Sequence, residues 1–390
     1  MGKIYDVAVI GAGPAGASAA KNSAQLGLET ILLEEHTSIG EPVHCGECLS
    51  EYATQNIGIK LPKEVISLDV KGVKVIFPDG TDRNVSEPGY VLEKHLFEQW
   101  LASEAEKLGA YISLDSKVTE LERRQGLWNL KAKDKEIQAK IVIDASGVQA
   151  VTSRFLGINQ RFQSVVGMQY EMQEVETTGY LDFYLWPELA PEGYLWVIPK
   201  CNQRSNVGLV TTQMNKAKTY LDQFTKRIGV DGKKINKTFG GMIPASGPLK
   251  NTFAEGLMLV GDAAGFTSPL FEGGTQLSLK SGQFAAQVAK QAVEKNDLSA
   301  EQLSQYKKLW FPEFPNYEKL IDGREKLYKF SDVELSQMAK IMPMELGTLS
   351  FFQKINVGFN VLIKHPHFFK KGFMPAMQAF EYSRAKFYGW

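Results

Sequence analysis

An apolar run, Val7-Ala-Val-Ile10, breaks directly into Gly11-Ala-Gly-Pro-Ala-Gly16, and no other feature constrains the fold of this 390-residue chain as tightly. Glycines at the end of a buried strand let the backbone come close to a ligand. The helix they open then turns its partly positive N-terminus toward an anion. A second junction of the same kind lies 250 positions further on, where Leu257-Met-Leu-Val260 enters Gly261-Asp-Ala-Ala-Gly265 and adds one carboxylate, Asp262. A cofactor held at both junctions is long and carries a diphosphate in its middle, which points to FAD.

The Ala-rich stretch 14–26 predicts a helix, and Glu29-Thr-Ile-Leu-Leu-Glu34 predicts the next strand, which completes a βαβ unit. Glu34 falls 23 residues after Gly11, where an acidic side chain accepts hydrogen bonds from ribose hydroxyls; Glu35 is the competing ligand. Gly13, Pro14 and Ala15 complete the expected phosphate turn. No second strand-G-x-G-x-x-G unit follows, so FAD as a tightly held group is favoured over a separate nicotinamide domain.

Between the junctions the pattern changes. Residues 64–87 alternate around Pro78-Asp-Gly80 and predict a hairpin in an antiparallel sheet. Apolar residues recur at helical spacing from Val91 to Leu108. Short aromatic-rich strands are expected at 165–174, 179–186, 193–199 and 205–212, followed by a helix near 214–228 and helices from 300 onward. The expected fold class is therefore an α/β flavoprotein with two lobes. Its Rossmann-like FAD-binding domain is discontinuous (1–60, 88–160 and 241–297), its antiparallel substrate domain takes 61–87 and 161–240, and a helical region covers 298–390.

The 44 basic and 44 acidic residues balance, which gives no electrostatic case for nucleic acid. No apolar run approaches the roughly 18–20 residues that cross a bilayer. Met1-Gly-Lys3 leads straight into a strand with no room for a signal peptide, and three cysteines make no disulfide scaffold. The expectation is a cytoplasmic protein, soluble or peripheral on a membrane.

Asp6-Val-x-Val-Ile-Gly-Ala-Gly-Pro-Ala-Gly16, Ile141-Val-Ile-Asp-Ala-Ser-Gly147 with Ser153-Arg154, and Leu259-Val-Gly-Asp-Ala-Ala-Gly265 resemble the flavoprotein class of hydroxybenzoate hydroxylase. Within that class the chain resembles the geranylgeranyl reductase family. This rests on Gly193-Tyr194-Leu-Trp196-Val-Ile-Pro199-Lys200, Asn206-Val-Gly208, Gly240-Gly241 and Gly265-Phe-Thr-Ser-Pro269-Leu270 leading to Gly273-Gly274. The match spans residues 1 to about 290. It implies reduction of isolated double bonds in prenyl chains of a lipid, prenyl diphosphate or quinone; the lack of a nicotinamide domain leaves NAD(P)H or a ferredoxin as the expected electron donor.

By the same resemblance Cys45, Gly46 and Cys48 line the flavin, with Cys45 as the candidate catalytic residue and Tyr194 and Trp196 as walls of the prenyl slot. Lys94 stands where the family carries an arginine, Val118 where backbone meets adenine, and Gly147, Gly261 and Asp262 along the cofactor. Gly273, Gly274 and Thr275 offer N–H groups to the flavin ring. Two further positions depart from the family: Cys48 and Glu272 each replace a usual glycine. Cys45-x-x-Cys48 is read as two reduced thiols, with a redox disulfide as the minority alternative. No metal site is expected, because no histidine pair completes one near the cysteines. The general acid is open among Cys45, His44 and Glu47, and His36 is read as a surface residue.

Two further readings stay open. Tyr194-Leu-Trp196-Val-Ile-Pro199 differs by one residue from the W-x-W-x-I-P element of flavin halogenases, which keeps an aromatic hydroxylase or halogenase in view. Gly274-Thr275-Gln-Leu-Ser-Leu-Lys-Ser281-Gly282 resembles dehydrogenases that accept electrons from electron-transfer flavoprotein, but no cysteine lies beyond position 201 to bind their cluster. The aromatic and lysine-rich stretch 351–390 reads either as a helical cap or as a membrane-facing surface.

Overall fold

A computed structural model describes residues 3–347 and 351–390. Its first sheet is built on strand Ile4–Ile10, which lies parallel to Thr30–Leu33 on one side and to Lys135–Asp144 on the other. Tyr111–Ser113 continues the sheet beyond Thr30–Leu33, and Leu257–Leu259 continues it beyond Asp144, both in parallel register. Val7, Ala8 and Val9, Leu32, and Ile141 to Ile143 are fully buried. Central parallel strands are covered on both faces, which is why these read as unbroken apolar runs rather than alternating ones. The hairpin Val118–Arg124/Leu127–Ala132 flanks Lys135–Asp144 on its antiparallel edge.

Helix Pro14–Gln25 starts with proline at its first turn, where a missing N–H costs nothing. Its face of Ala, Gly and Ser lies against the long helix Thr275–Lys295 and helix Lys94–Lys107. The two glycine junctions thus lie at the carboxyl ends of two parallel strands with only Lys135–Asp144 between them.

The second sheet has seven strands, antiparallel except where Leu181–Tyr184 lies parallel to Val73–Ile76. Strand Tyr194–Pro199 runs between Arg204–Thr211 and Leu181–Tyr184. Successive side chains of this strand point to opposite faces. Leu195 and Val197 pack under helix Ala217–Arg227 with Leu221 and Phe224, whereas Tyr194, Trp196 and Ile198 face the first lobe.

Residues 64–87 form a narrower hairpin than the alternation predicts. Val73–Ile76 and Asp82–Val85 pair as a hairpin at the edge of the large sheet, but Ile66–Val70 joins a separate three-stranded sheet with Cys48–Ser50 and Gly89–Leu92. The helix expected from Val91 begins only at Lys94, because Val91 and Leu92 complete that small sheet. Helices dominate after residue 300, and helix Phe373–Tyr382 packs on Tyr317–Leu327. The chain then returns to the first lobe, where Ser50 donates its backbone N–H to the Gly389 carbonyl at 2.9 Å.

Candidate functional site

A cavity of about 770 Å³ opens between the glycine junctions of the first sheet and the inner face of the second. That volume lies within the range of ligand sites, roughly 300–1,000 Å³. At one end the backbone of Gly11 has φ +97°, and a Cβ on Gly16 would lie 1.8 Å from the Gly11 carbonyl oxygen. The turn therefore closes only with glycine at both positions. Gly13 heads the helix with no side-chain cap and open space beside it, so its first N–H groups stay free for an anion.

Glu34 is buried and ties this turn down. Its Oε2 accepts from the Ala12 N–H at 2.7 Å, and its Oε1 accepts from the His36 N–H at 3.0 Å and contacts His36 Nδ1 at 2.6 Å. A carboxylate offers about four acceptor positions, so one remains for a ribose hydroxyl. His36 is a surface residue, as expected, and it also partners Glu34. Glu35 lines the cavity mouth and pairs with Lys117 at 2.5 Å. Val118, buried, lines the cavity where its strand begins.

Gly147 follows a turn wired by Asp144. The Asp144 carboxylate accepts from the N–H of Ser146 at 3.0 Å and from the N–H and hydroxyl of Thr152 at 2.8 and 2.6 Å. Gly261 opens the second junction, where Asp262 Oδ1 accepts from the Thr267 hydroxyl at 2.7 Å. Burial raises the Asp262 carboxyl above its ordinary range, against the pull of Thr267 and Lys94. Gly274 caps the helix Thr275–Lys295 without a side-chain acceptor, which leaves the N-terminus of a 21-residue helix facing the cavity beside Gly273.

Lys94 is buried, and its ammonium contacts Glu98. Burial works against its charge, but Glu98, Cys45 and Glu47 outweigh that and hold its pKa above the ordinary lysine value. The loop 42–48 crosses the cavity floor with Cys45, Gly46 and Cys48 in its lining. All three cysteines are free thiols. Burial pushes the Cys45 thiol up and the Cys48 thiol well above the usual value, so both stay protonated at neutral pH.

Glu47 fixes this loop. Its Oε2 accepts from Lys200 Nζ at 2.7 Å and from Asn206 Nδ2 at 2.6 Å, and its Oε1 from the Lys94 N–H at 3.0 Å. Both oxygens are engaged as acceptors, so Glu47 is an anchor for the loop. His44 is exposed, with Nδ1 at 2.7 Å from the Gly240 carbonyl oxygen on the sheet edge. The Lys200 and Asn206 anchors were invisible locally, since they lie 153 and 159 residues from Glu47. Their presence within the 193–208 motif was the only signal available.

Opposite the glycine junctions stands an aromatic wall. Tyr194 lies 5.6 Å from Trp196, 5.1 Å from Phe183 and 5.2 Å from Phe271, ring centre to ring centre. The Tyr194 hydroxyl donates to the Phe271 carbonyl at 2.9 Å. A Cβ on Gly208 would lie 2.6 Å from the Trp196 ring, which explains the glycine in Asn206-Val-Gly208. Phe183, Phe271 and Gln169 belong to this wall and were not anticipated from the sequence. Ile198 and Met242 extend the lining. The arrangement suits a flat ring system laid across both helix N-termini, with an apolar chain held against its far face.

Comparison with known proteins agrees with this geometry. A family model described as lycopene cyclase protein matches residues 6–332. The digeranylgeranylglycerophospholipid reductase of Methanocaldococcus jannaschii is 33% identical over 392 residues, covering 95% of this chain and 98% of that protein. Its counterpart in Methanosarcina acetivorans is 36% identical over 334 residues, covering 80% and 81%. Among solved structures, a geranylgeranyl bacteriochlorophyll reductase-like protein from Thermoplasma acidophilum superposes with a TM-score of 0.85 at 32% identity, covering 95% and 98%. A flavin-dependent brominase superposes at 0.71 with 19% identity, covering 86% and 90%, a likeness of fold alone.

Proposed function

This chain belongs to the geranylgeranyl reductase family of FAD-dependent oxidoreductases, and on that premise we propose that it saturates the isolated double bonds of prenyl chains on a digeranylgeranyl-type glycerophospholipid. The observation that carries the reading is the aromatic wall of Tyr194, Trp196, Phe183 and Phe271, which lines the same cavity as the two helix N-termini.

In this reading Gly11, Gly13, Pro14, Ala15 and Gly16 cradle the diphosphate, with Lys94 adding positive charge. Glu34 holds the adenosine ribose, Val118 lies along adenine, and Gly147 and Gly261 border the cofactor's length. Asp262 takes hydroxyls of the ribityl chain. Gly273, Gly274 and Thr275 direct N–H groups at the ring edge where negative charge develops on reduction. Cys45, Gly46 and Cys48 pack against the ring. Bound and reduced, FAD supplies a hydride to one alkene carbon. The aromatic side chains keep the prenyl chain dry and in register, and their ring faces favour positive charge developing on carbon.

The exposed face of helix Phe351–Lys364 supports a peripheral membrane contact that delivers the lipid. Ile355, Phe359, Leu362 and Ile363 fall at helical spacing and are each more than half exposed. No helix among the described residues is long and apolar enough to cross a membrane. NAD(P)H or a ferredoxin is the proposed source of electrons.

The test is anaerobic. Purified enzyme is bleached with dithionite and mixed with a digeranylgeranyl phospholipid. Reoxidation of the flavin with a gain of two hydrogens per double bond supports the reading. A reduced flavin that only oxygen reoxidises overturns it and returns the halogenase alternative.

A further inference from the structure

We propose that the carboxyl of Glu272 is the proton donor of the reaction, an inference that rests on the prenyl-reductase reading above. Glu272 lies in the cavity lining, between the aromatic Phe271 and the glycines that open helix Thr275–Lys295. Its Oε2 is enclosed and has no hydrogen-bond partner among the described residues. Leaving a neutral polar atom so costs about 1–3 kcal/mol, and leaving a charge so costs far more. Enclosure of this oxygen therefore favours the protonated form of the group. Burial pushes its pKa well above the ordinary carboxyl value, and Arg324 and Tyr194 pull it back without cancelling that effect.

The groups around it leave this state intact. Arg324 directs Nη1 to the carbonyl oxygens of Ala245 and Pro269 at 2.9 and 3.2 Å. The Tyr194 hydroxyl donates to the Phe271 carbonyl and also lies near enough to Glu272 to offset part of the effect of burial, and the Tyr328 phenol, also facing Glu272, is itself pushed up by burial.

The backbone holds the side chain in place. Glu272 has φ +50°, in the left-handed region. A non-glycine residue there carries strain of about 1–3 kcal/mol, which persists where surrounding structure enforces it and clusters at working sites. Glycine is the residue that the family resemblance leads one to expect here. The turn is held at both ends: Glu272 donates its N–H to the Ser268 carbonyl at 3.2 Å, and Ser268 donates to the Gly273 carbonyl at 2.8 Å. A strained, enclosed carboxyl is therefore presented rigidly beside the Tyr194 ring.

The other candidates are committed elsewhere. Glu47 accepts from Lys200 and Asn206, and His44 is exposed on Gly240. Both cavity thiols are raised above their usual range, so they are weaker acids than a carboxyl. A carboxyl whose neutral form is favoured by enclosure is suited to act as a general acid.

In the step, the Glu272 O–H bond breaks as the alkene π pair forms a C–H bond at one carbon. The hydride from reduced flavin completes the other carbon. The alkene gains two electrons, the flavin loses two, and the carboxylate regains its proton from water before the next turnover.

E272Q and E272D test this. FAD content, melting temperature and dithionite bleaching of E272Q are expected to match the parent enzyme. Its anaerobic reoxidation by prenyl lipid should fall at least ~100-fold, with E272D partly restoring the rate. Infrared spectra at pH 7 should show a protonated-carboxyl C=O band that disappears in E272Q. Parental reoxidation by E272Q, or no such band in the parent enzyme, overturns the assignment. A parent enzyme that shows the band but reduces no prenyl lipid overturns the function and leaves the buried acid standing. If E272Q fails to fold, loss of the band and of the rate in E272A serves the same test.

Discussion

Trp196 donates its indole N–H to Oε1 of Gln169 at 3.1 Å. The amide nitrogen of the same Gln169 donates to the Cys45 carbonyl at 2.8 Å, so the aromatic wall and the cysteine loop are held to each other through one side chain. Replacing Gln169 by Leu removes both bonds and leaves a buried indole N–H unpaired, a loss of about 1–3 kcal/mol. Chemical denaturation should register that loss, while FAD absorbance stays stoichiometric and prenyl turnover falls at least ~10-fold. Unchanged turnover would show that the wall keeps its position without this link.

Gly208→Ala separates the slot from the cofactor. The added methyl meets the Trp196 ring at 2.6 Å and the Gln169 Cβ at 2.5 Å. Trp196 must swing into the cavity or the strands must part. We expect FAD affinity within about twofold of the parent and a rise in KM for the prenyl substrate of roughly tenfold or more. A variant that loses FAD instead would place the wall's influence on the cofactor.

Lys200 and Glu47 are each 2% exposed at the side chain and 2.7 Å apart. Removing one partner of a buried pair leaves the other charge stranded, at a cost of about 3–5 kcal/mol. Lys200→Met should therefore lower stability by that order and release the 42–48 loop, which limited proteolysis will detect. The double change Glu47→Leu with Lys200→Met should recover much of the stability without restoring the loop.

Acid sensitivity should trace to Glu93. Burial pushes its carboxyl up, but Arg204, Ser67 and Lys200 prevail and hold it at about 2 instead of 4.5. A depressed folded-state pKa contributes stability that is complete above the unfolded value near 4.5 and is lost as pH falls toward 2. After allowance for partial exposure the contribution is roughly 1–2 kcal/mol. Urea unfolding across pH 2–5 should show this slope in the parent and a flatter one in Glu93→Gln. Equal slopes would assign acid unfolding to other carboxylates.

The thiols offer a direct count. With Cys45, Cys48 and Cys201 all free, titration of unfolded enzyme should give three thiols before and after dithiothreitol. A gain of two on reduction would establish a Cys45–Cys48 disulfide in the resting enzyme.

What was readable in the chain was local. The glycine junctions declare themselves because a turn that tight admits only glycine at Gly11 and Gly16, whatever lies elsewhere. Tyr194 and Trp196 fall on one face because side chains alternate along a strand. Partners distant in sequence were hidden. Nothing near Glu47 announces Lys200 or Asn206, and nothing near Trp196 announces Gln169 or Gly208. Ile66–Val70 reads as part of one hairpin with the strands that follow it, because alternation specifies a strand but not its neighbour. Glu272 was noted only as a departure from a glycine, since enclosure and a left-handed backbone are visible only in three dimensions.

Leu257–Leu259 enters the first sheet alongside Asp144, more than a hundred residues after that strand is made. During synthesis the chain emerges at about 5–20 residues per second. The aromatic sheet, which ends at Pro244, leaves the ribosome before the last parallel strand does. The nascent enzyme thus carries an open sheet edge beside Asp144 until Leu257–Leu259 arrives, and both cofactor junctions exist together only then. Cofactor capture is thereby a late event of biogenesis, placed after Leu257–Leu259 has closed that edge.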